Sequence, residues 1–303
     1  MIIGDPRLFT EAHYEARRGV APAPLCELVV HCLELVAQLS RAGLEYRFKG
    51  GNSQLILLDT PARFSIDVDI VTAVDKDALT EVVTGIVDDC ELFTRCEVRP
   101  HRTKPWLPIL SFNLFFESAF DRPEEPRVIL DAVLEPAPYA GIRKRVESGE
   151  LYYCDETVEL PTIGGLLADK MLCISPKTVG IPLGKNKEAH RLKHVFDVAN
   201  LFRHSPDHAD VQEALAACLA QENAIQKTEH TFAAVAEDTI AFVSEVLAHD
   251  SPPAPGSVDP ETYLGEIVTG FATVSEFFFR GHYGWDALRT DCQTVVAAVE
   301  ASR

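Results

Sequence analysis

Asp67 and Asp69 stand two residues apart in a run where Ile66, Val68 and Ile70 alternate with Ser65, Asp67 and Asp69. That alternation predicts a strand with both carboxylates on one face and the aliphatic side chains in the core behind them. Two neighbouring carboxylates repel unless a positive charge lies between them, and a hard divalent cation such as Mg²⁺ suits oxygen ligands on such a frame. Upstream, Gly50 and Gly51 have no side chains to keep an anion away from the backbone. A helix beginning just after them would aim its positive end at that anion. Arg63, four residues before Asp67, offers a forked contact to the same group. A phosphate cradle beside a metal-binding Asp-x-Asp strand describes a site for a nucleoside triphosphate and Mg²⁺.

The elements that must position these residues follow from periodicity. Tyr46-Arg47-Phe48 is β-prone and closes on the glycines, Leu55 to Leu58 suits one or two helical turns, and Thr60-Pro61 turns the chain into the Asp-x-Asp strand. Residues 1–22 read as an arm or short irregular helix. Apolar residues at 25, 28, 29, 32, 33, 36 and 39 predict a helix buried on one face, and a second helix is expected over roughly 77–89. Strands are expected around 110–116 and 127–134. Asp131 lies mid-strand in the latter, a costly place for a carboxylate unless it serves a site or faces solvent. Residues 136–156 read as a turn-rich connector. From Thr162, a candidate cap, the chain turns helical: 162–174, then a loop SPKTVGIPLGKNK expected to be flexible, then helices near 187–201, 207–220, 225–248, 259–279 and 284–301. The expected division is therefore 1–156 and 157–303. FFFRGHYGW at 277–285 suits either base stacking or core.

The chain has 303 residues, 47% of them apolar, enough for one large domain or two smaller ones. The start lacks the order of a signal peptide and no apolar run is expected to span a bilayer, so no membrane partner is predicted. Eight cysteines without a C-x-x-C pair point to a reducing, cytoplasmic setting. A formal charge of −18 argues against a general nucleic-acid binder. Three basic islands relieve it: Arg99 to Lys104, Arg143 to Arg145, and Lys185, Lys187, Arg191 and Lys193. Each is equally readable as solvated surface. His190 and His194 have metal-ligand spacing on a helix but no evident third ligand.

The ordered set Gly50, Gly51, Arg63, Ser65, Asp67 and Asp69 resembles the nucleotidyltransferase motif of the AbiEii/AbiGii toxin family, within the DNA polymerase β-like superfamily. Leu167-Ala-Asp-Lys170 and the helix Lys187 to Leu201 are similar to that family's A-D-K helix and its R/K-D-x-x-D-L helix, with Lys170 and Asp197 on the lysine and the final aspartate. His194 stands where the family usually has an earlier aspartate, and Asn52 where Thr or Ser usually follows the glycines.

The resemblance implies an α+β fold: an N-terminal polymerase β-like core, a mixed sheet flanked by helices, followed by a mainly helical C-terminal region completing the active-site cleft. It implies Mg²⁺-dependent transfer of a nucleoside monophosphate from a triphosphate to an acceptor hydroxyl. Asp67 and Asp69 would hold Mg²⁺, and Asp131 would hold metal or take the acceptor's proton. Gly50, Gly51, Ser53, Arg63 and Lys170 would position the triphosphate, while Asp197 would orient Lys170 or the acceptor. The implied acceptor is RNA, with the tRNA acceptor end as one candidate, and the implied role is the toxin of a toxin–antitoxin pair, countered by an antitoxin partner. A small-molecule nucleotidyltransferase of the antibiotic-modifying kind and a catalytically idle binding protein of the same fold are the alternatives. A phosphatase reading of Asp67 to Val71 would leave the glycine pair without a role.

Overall fold

Helix-capping and alternation signals place most elements where the sequence suggests. The computed structural model describes residues 1–58, 62–99, 107–254, 256–279 and 281–303. The Thr60-Pro61 turn, all but Arg99 of the first basic island, and Arg280 lie outside these. The chain divides into two units, Met1–Ala137 with Gly141–Pro161, and Pro138–Ala140 with Thr162–Arg303.

In the first unit a 3-10 turn at Pro6–Leu8 leads through α1 (Glu11–Arg17) to α2 (Ala23–Arg41). Then come β1 (Arg47–Lys49), α3 (Gly50–Leu57), β2 (Asp67–Val71), α4 (Lys76–Asp89), β3 (Phe93–Arg99), β4 (Ile109–Phe116), β5 (Arg127–Val133), β6 (Gly141–Ser148) and β7 (Tyr152–Pro161). The seven strands form one mixed sheet in the order β3-β4-β5-β2-β1-β7-β6. On one face Phe48, Val68, Ile70, Phe112, Leu114, Val128, Leu130 and Ala132 are buried, and α2 packs on β2 and β5. By length and composition α2 could cross a membrane, contrary to the expectation of no such run, but 78% of that stretch is buried inside the fold, as in the core helix of a domain. Its buried acids are fully engaged. Glu34 accepts from the Ile3 and Gly4 amides, Gln38 and the Tyr152 hydroxyl, and Glu27 accepts from Ser118, Ala119 and Arg122. These bonds tie the N-terminal arm and the 118–122 turn to the core.

The connector expected at 136–156 is instead largely β-structure: β6 and most of β7 form an antiparallel hairpin at one sheet edge. β6 is the edge strand and sends Arg143, Arg145 and Glu147 toward water, and on β7 Asp155 and Glu159 stand between the buried Tyr152, Cys154, Val158 and Leu160, so interleaved charge hid the alternation. β3, the opposite edge, was likewise not expected; only its first residue, Phe93, is buried, so no two-residue period marks it.

The second unit is helical, with α5 (Ile163–Ile174), α6 (Glu188–Arg203), α7 (His208–Gln226), α8 (Phe232–Leu247), α9 (Tyr263–Val274) and α10 (Trp285–Ala301). Side chains of Thr162, Asp207, Thr231 and Thr262 cap four of them. α6 is central, packing on α5, α9 and α10. Phe278 and Tyr283 stack at 4.4 Å with Phe196 edge-on, so these three rings form core.

Candidate active site

The sheet's second face is half-exposed where β1, β2, β5 and β4 lie side by side, and it carries the polar residues. Asp67 and Asp69 both point to this face, alternating with buried Val68 and Ile70. Strand register places Lys49 opposite Asp69 on one side and Asp131 opposite it on the other, with Ser111 opposite Asp131. Directly opposed residues share a face, so Lys49, Asp69, Asp131 and Ser111 form a row across four strands. Lys49 is a member that sequence reasoning passed over. Its place in the Arg47-Phe48-Lys49 alternation was the available signal.

The glycines are fitted to the acids. Gly50 has φ +76°, and a Cβ there would fall 1.9 Å from Asp69 Oδ2. Only a residue without a side chain lets the start of α3 rest against that carboxylate. A Cβ on Gly51 would meet Ser65 Oγ at 2.7 Å and Arg63 Nη2 at 2.8 Å. Arg63 is buried and donates from Nη1 to the Phe64 carbonyl at 2.9 Å, so its guanidinium lies against the first turn of α3. No side chain caps that helix, and Ser53, fully buried in its first turn, donates to the Gly50 carbonyl.

Asn52 is also fully buried. Its Nδ2 donates to the Asp67 carbonyl at 3.0 Å and its Oδ1 accepts from the Ser65 amide at 3.1 Å. The residue that stands where Thr or Ser usually follows the glycines therefore pins α3 to the start of β2, and the amide suits that task because it both donates and accepts. At the other end of α3, Lys144 of the second basic island donates to the Leu57 carbonyl. Behind the sheet, burial pushes the Cys32 thiol well up, and the Asp67 and Asp69 carboxylates add to the shift, so their negative charge is felt across the strand.

Two carboxylates on a rigid strand, facing an uncapped helix start, fit Mg²⁺, which commonly takes one or two protein carboxylates and completes its shell with water and substrate phosphates. Among the described residues no group of three His, Cys, Asp or Glu side chains is arranged to hold a metal, so Asp131 does not close a ready-made cage with the pair.

In the second unit Lys170 is buried on α5 and Asp197 fully buried on the adjoining α6. Half-buried His190 and His194 share α6. The third basic island is largely internal. Arg191 is fully buried, paired with Glu266 and donating to the Ile181 carbonyl, and Lys193 lies 3.8 Å from the Phe277 ring centre. The loop expected to be flexible is held at several points. Asp238 accepts from the Lys177 amide and Thr178, Gln226 donates to Val179, and Glu266 accepts from the Gly184 amide.

A family model described as "Nucleotidyl transferase AbiEii toxin, Type IV TA system" matches residues 34–267. No curated protein matches. Among solved structures, MenT4, the nucleotidyltransferase toxin Rv2826c from Mycobacterium tuberculosis H37Rv, superposes with a TM-score of 0.56 at 14% identity, covering 97% of this chain and 99% of that one. That likeness supports the fold. An antigenic nucleotidyltransferase-like protein from Paracoccidioides brasiliensis aligns over 69% of this chain and 96% of its own at 16% identity, with a TM-score of 0.38.

Proposed function

The chain belongs to the AbiEii family of nucleotidyltransferase toxins, and from that membership we propose that it moves a nucleoside monophosphate from a nucleoside triphosphate to an acceptor hydroxyl on RNA, with Mg²⁺ as the metal. The observation that carries the reading is the seating of Asp69 against the Cα of Gly50, which joins an acid pair and a glycine-lined helix start into one site. Mg²⁺ bound to Asp67 and Asp69 would neutralise charge developing on the phosphates. The start of α3 and Arg63 receive the pyrophosphate portion. Asp131 accepts the proton of the attacking hydroxyl as its oxygen bonds to the α-phosphorus and the bond to pyrophosphate breaks. Lys170 and Asp197 are proposed participants from the second unit, the first against the triphosphate, the second orienting it or the acceptor. A cytoplasmic setting and an antitoxin partner complete the proposal, with the tRNA acceptor end as the first RNA to try.

Purified protein with Mg²⁺, total RNA and each α-labelled nucleoside triphosphate in turn tests the reading. Label should enter RNA with one or more nucleotides and vanish with Asp69→Asn. Absence of transfer to any acceptor, or full activity in that variant, defeats it. A second reading, a small-molecule acceptor, draws support from the basic islands. Arg143 pairs with Glu159, Arg145 with Asp155 and Arg191 with Glu266, which leaves fewer cations for an extended RNA. Label confined to small molecules would favour it.

A further inference from the structure

At the N-terminal ends of β2 and β5 lies a cavity of about 430 Å³ walled by half-exposed apolar residues, among them Pro24, Leu28, Ile66, Pro126 and Ile129. Ile66 is the chain neighbour of Asp67 and Ile129 is the register partner of Asp67 on β5, so the cavity adjoins the end of the strand that carries the acid pair, although neither acid lines it. In the sheet order β5-β2-β1, the glycine turn follows β1 on one side of β2 while the cavity is walled by β5 on the other.

In-line displacement at phosphorus puts the attacking and leaving oxygens on opposite sides. If pyrophosphate leaves at the glycine side, the acceptor hydroxyl must arrive from the β5 side. The cavity is roomy enough for a base with its ribose, and its proline and aliphatic walls offer flat apolar contact to either face of a base. Two arginines also line it. Arg127 is exposed at the rim, and Arg122, bonded through Nη2 to Glu27 and Pro24, keeps a buried Nε without a partner. Of the two acids that line it, Glu125 is paired with Arg95 and Glu124 is exposed. We propose that this cavity receives the terminal nucleoside of the RNA acceptor, its base on the apolar wall and its phosphate toward Arg127. Recognition would then rest on the end of the strand rather than on a broad basic surface, which an overall charge of −18 disfavours.

The inference rests on the proposed transfer to RNA, and its test reads binding directly so that the two can fail separately. A short oligoribonucleotide ending in 4-thiouridine is bound to the whole protein, irradiated, and the crosslinked peptide mapped. Attachment within 24–28, 66 or 122–129 is expected; attachment elsewhere, or no binding of the oligoribonucleotide, overturns the inference even if label transfer occurs. Leu28→Trp, which fills the cavity, and Arg127→Glu, an exposed change that spares the core, should each raise the KM for RNA by about tenfold, with the KM for the triphosphate held. An unchanged KM for RNA in both folded variants also overturns it. Loss of transfer in Asp69→Asn with crosslinking preserved would locate the failure or success of the chemistry apart from acceptor binding.

Discussion

Replacing Gly50 by alanine perturbs the site through one atom. The added Cβ would sit 1.9 Å from Asp69 Oδ2, where ordinary contact begins at 3.4 Å, so the carboxylate or the helix start must retreat by about 1.5 Å (3.4 − 1.9). The backbone at φ +76° also costs an alanine about 1–2 kcal/mol. A displacement of about 1 Å at a reacting centre can cost roughly a hundredfold in rate. Gly50→Ala should therefore lose about two orders of magnitude in kcat, near 2.7 kcal/mol of barrier, beside a stability loss of only about 1–3 kcal/mol. Gly85 is the control. It lies within α4 with nothing within 4 Å of its would-be Cβ, and Gly85→Ala should keep activity and gain up to about 1 kcal/mol of stability. Initial rates of label transfer and urea unfolding measure both. If Gly50→Ala is folded and keeps its rate within about threefold, the contact with Asp69 does not position the acid and the argument fails.

Asn52→Ala would strand the Ser65 amide and the Asp67 carbonyl, and should cost about 1–3 kcal/mol in urea unfolding while lowering kcat; an unchanged midpoint would contradict the bridge. Glu266→Gln leaves buried Arg191 without its counter-charge and should destabilise the second unit by about 3–5 kcal/mol, visible as an earlier or separate melting transition. His31, buried and stacked on Phe116, is pushed down to about 4 by that burial, with Arg122 adding to the shift. The unfolded chain, with an imidazole near 6.5, binds the extra proton first as pH falls. Stability is therefore full above about pH 6.5 and declines toward pH 4, by about 3 kcal/mol from this group. His31→Phe should remove that part of the slope; identical pH profiles for the two proteins would show that His31 does not set it.

The sequence by itself determined the parts whose causes are local. Asp67 and Asp69 share a face because a strand repeats every two residues, and α2 and α4 follow from helical spacing and the Asp75 cap. The glycine pair marked the start of α3 because only glycine accepts its backbone and its neighbour. Family membership was legible in the same way, through ordered motif residues. What the tertiary structure decided is non-local. The row Lys49-Asp69-Asp131-Ser111 exists only once β1, β2, β5 and β4 are ordered and in register, and no period within one strand encodes its partner. The β6–β7 hairpin escaped because charged residues interleave its buried Val146, Tyr152, Cys154, Val158 and Leu160, and β3 because an edge strand with only Phe93 buried has no apolar alternation. Asn52 stood only as a departure from the usual Thr or Ser until its partners, thirteen and fifteen residues away, came within hydrogen-bond reach. Arg191 read only as a member of a basic island, functional or solvated alike, until Glu266, 75 residues on, took it into the core. Side-chain type limits which bonds a residue can make; which of them it makes is set by what the fold brings beside it.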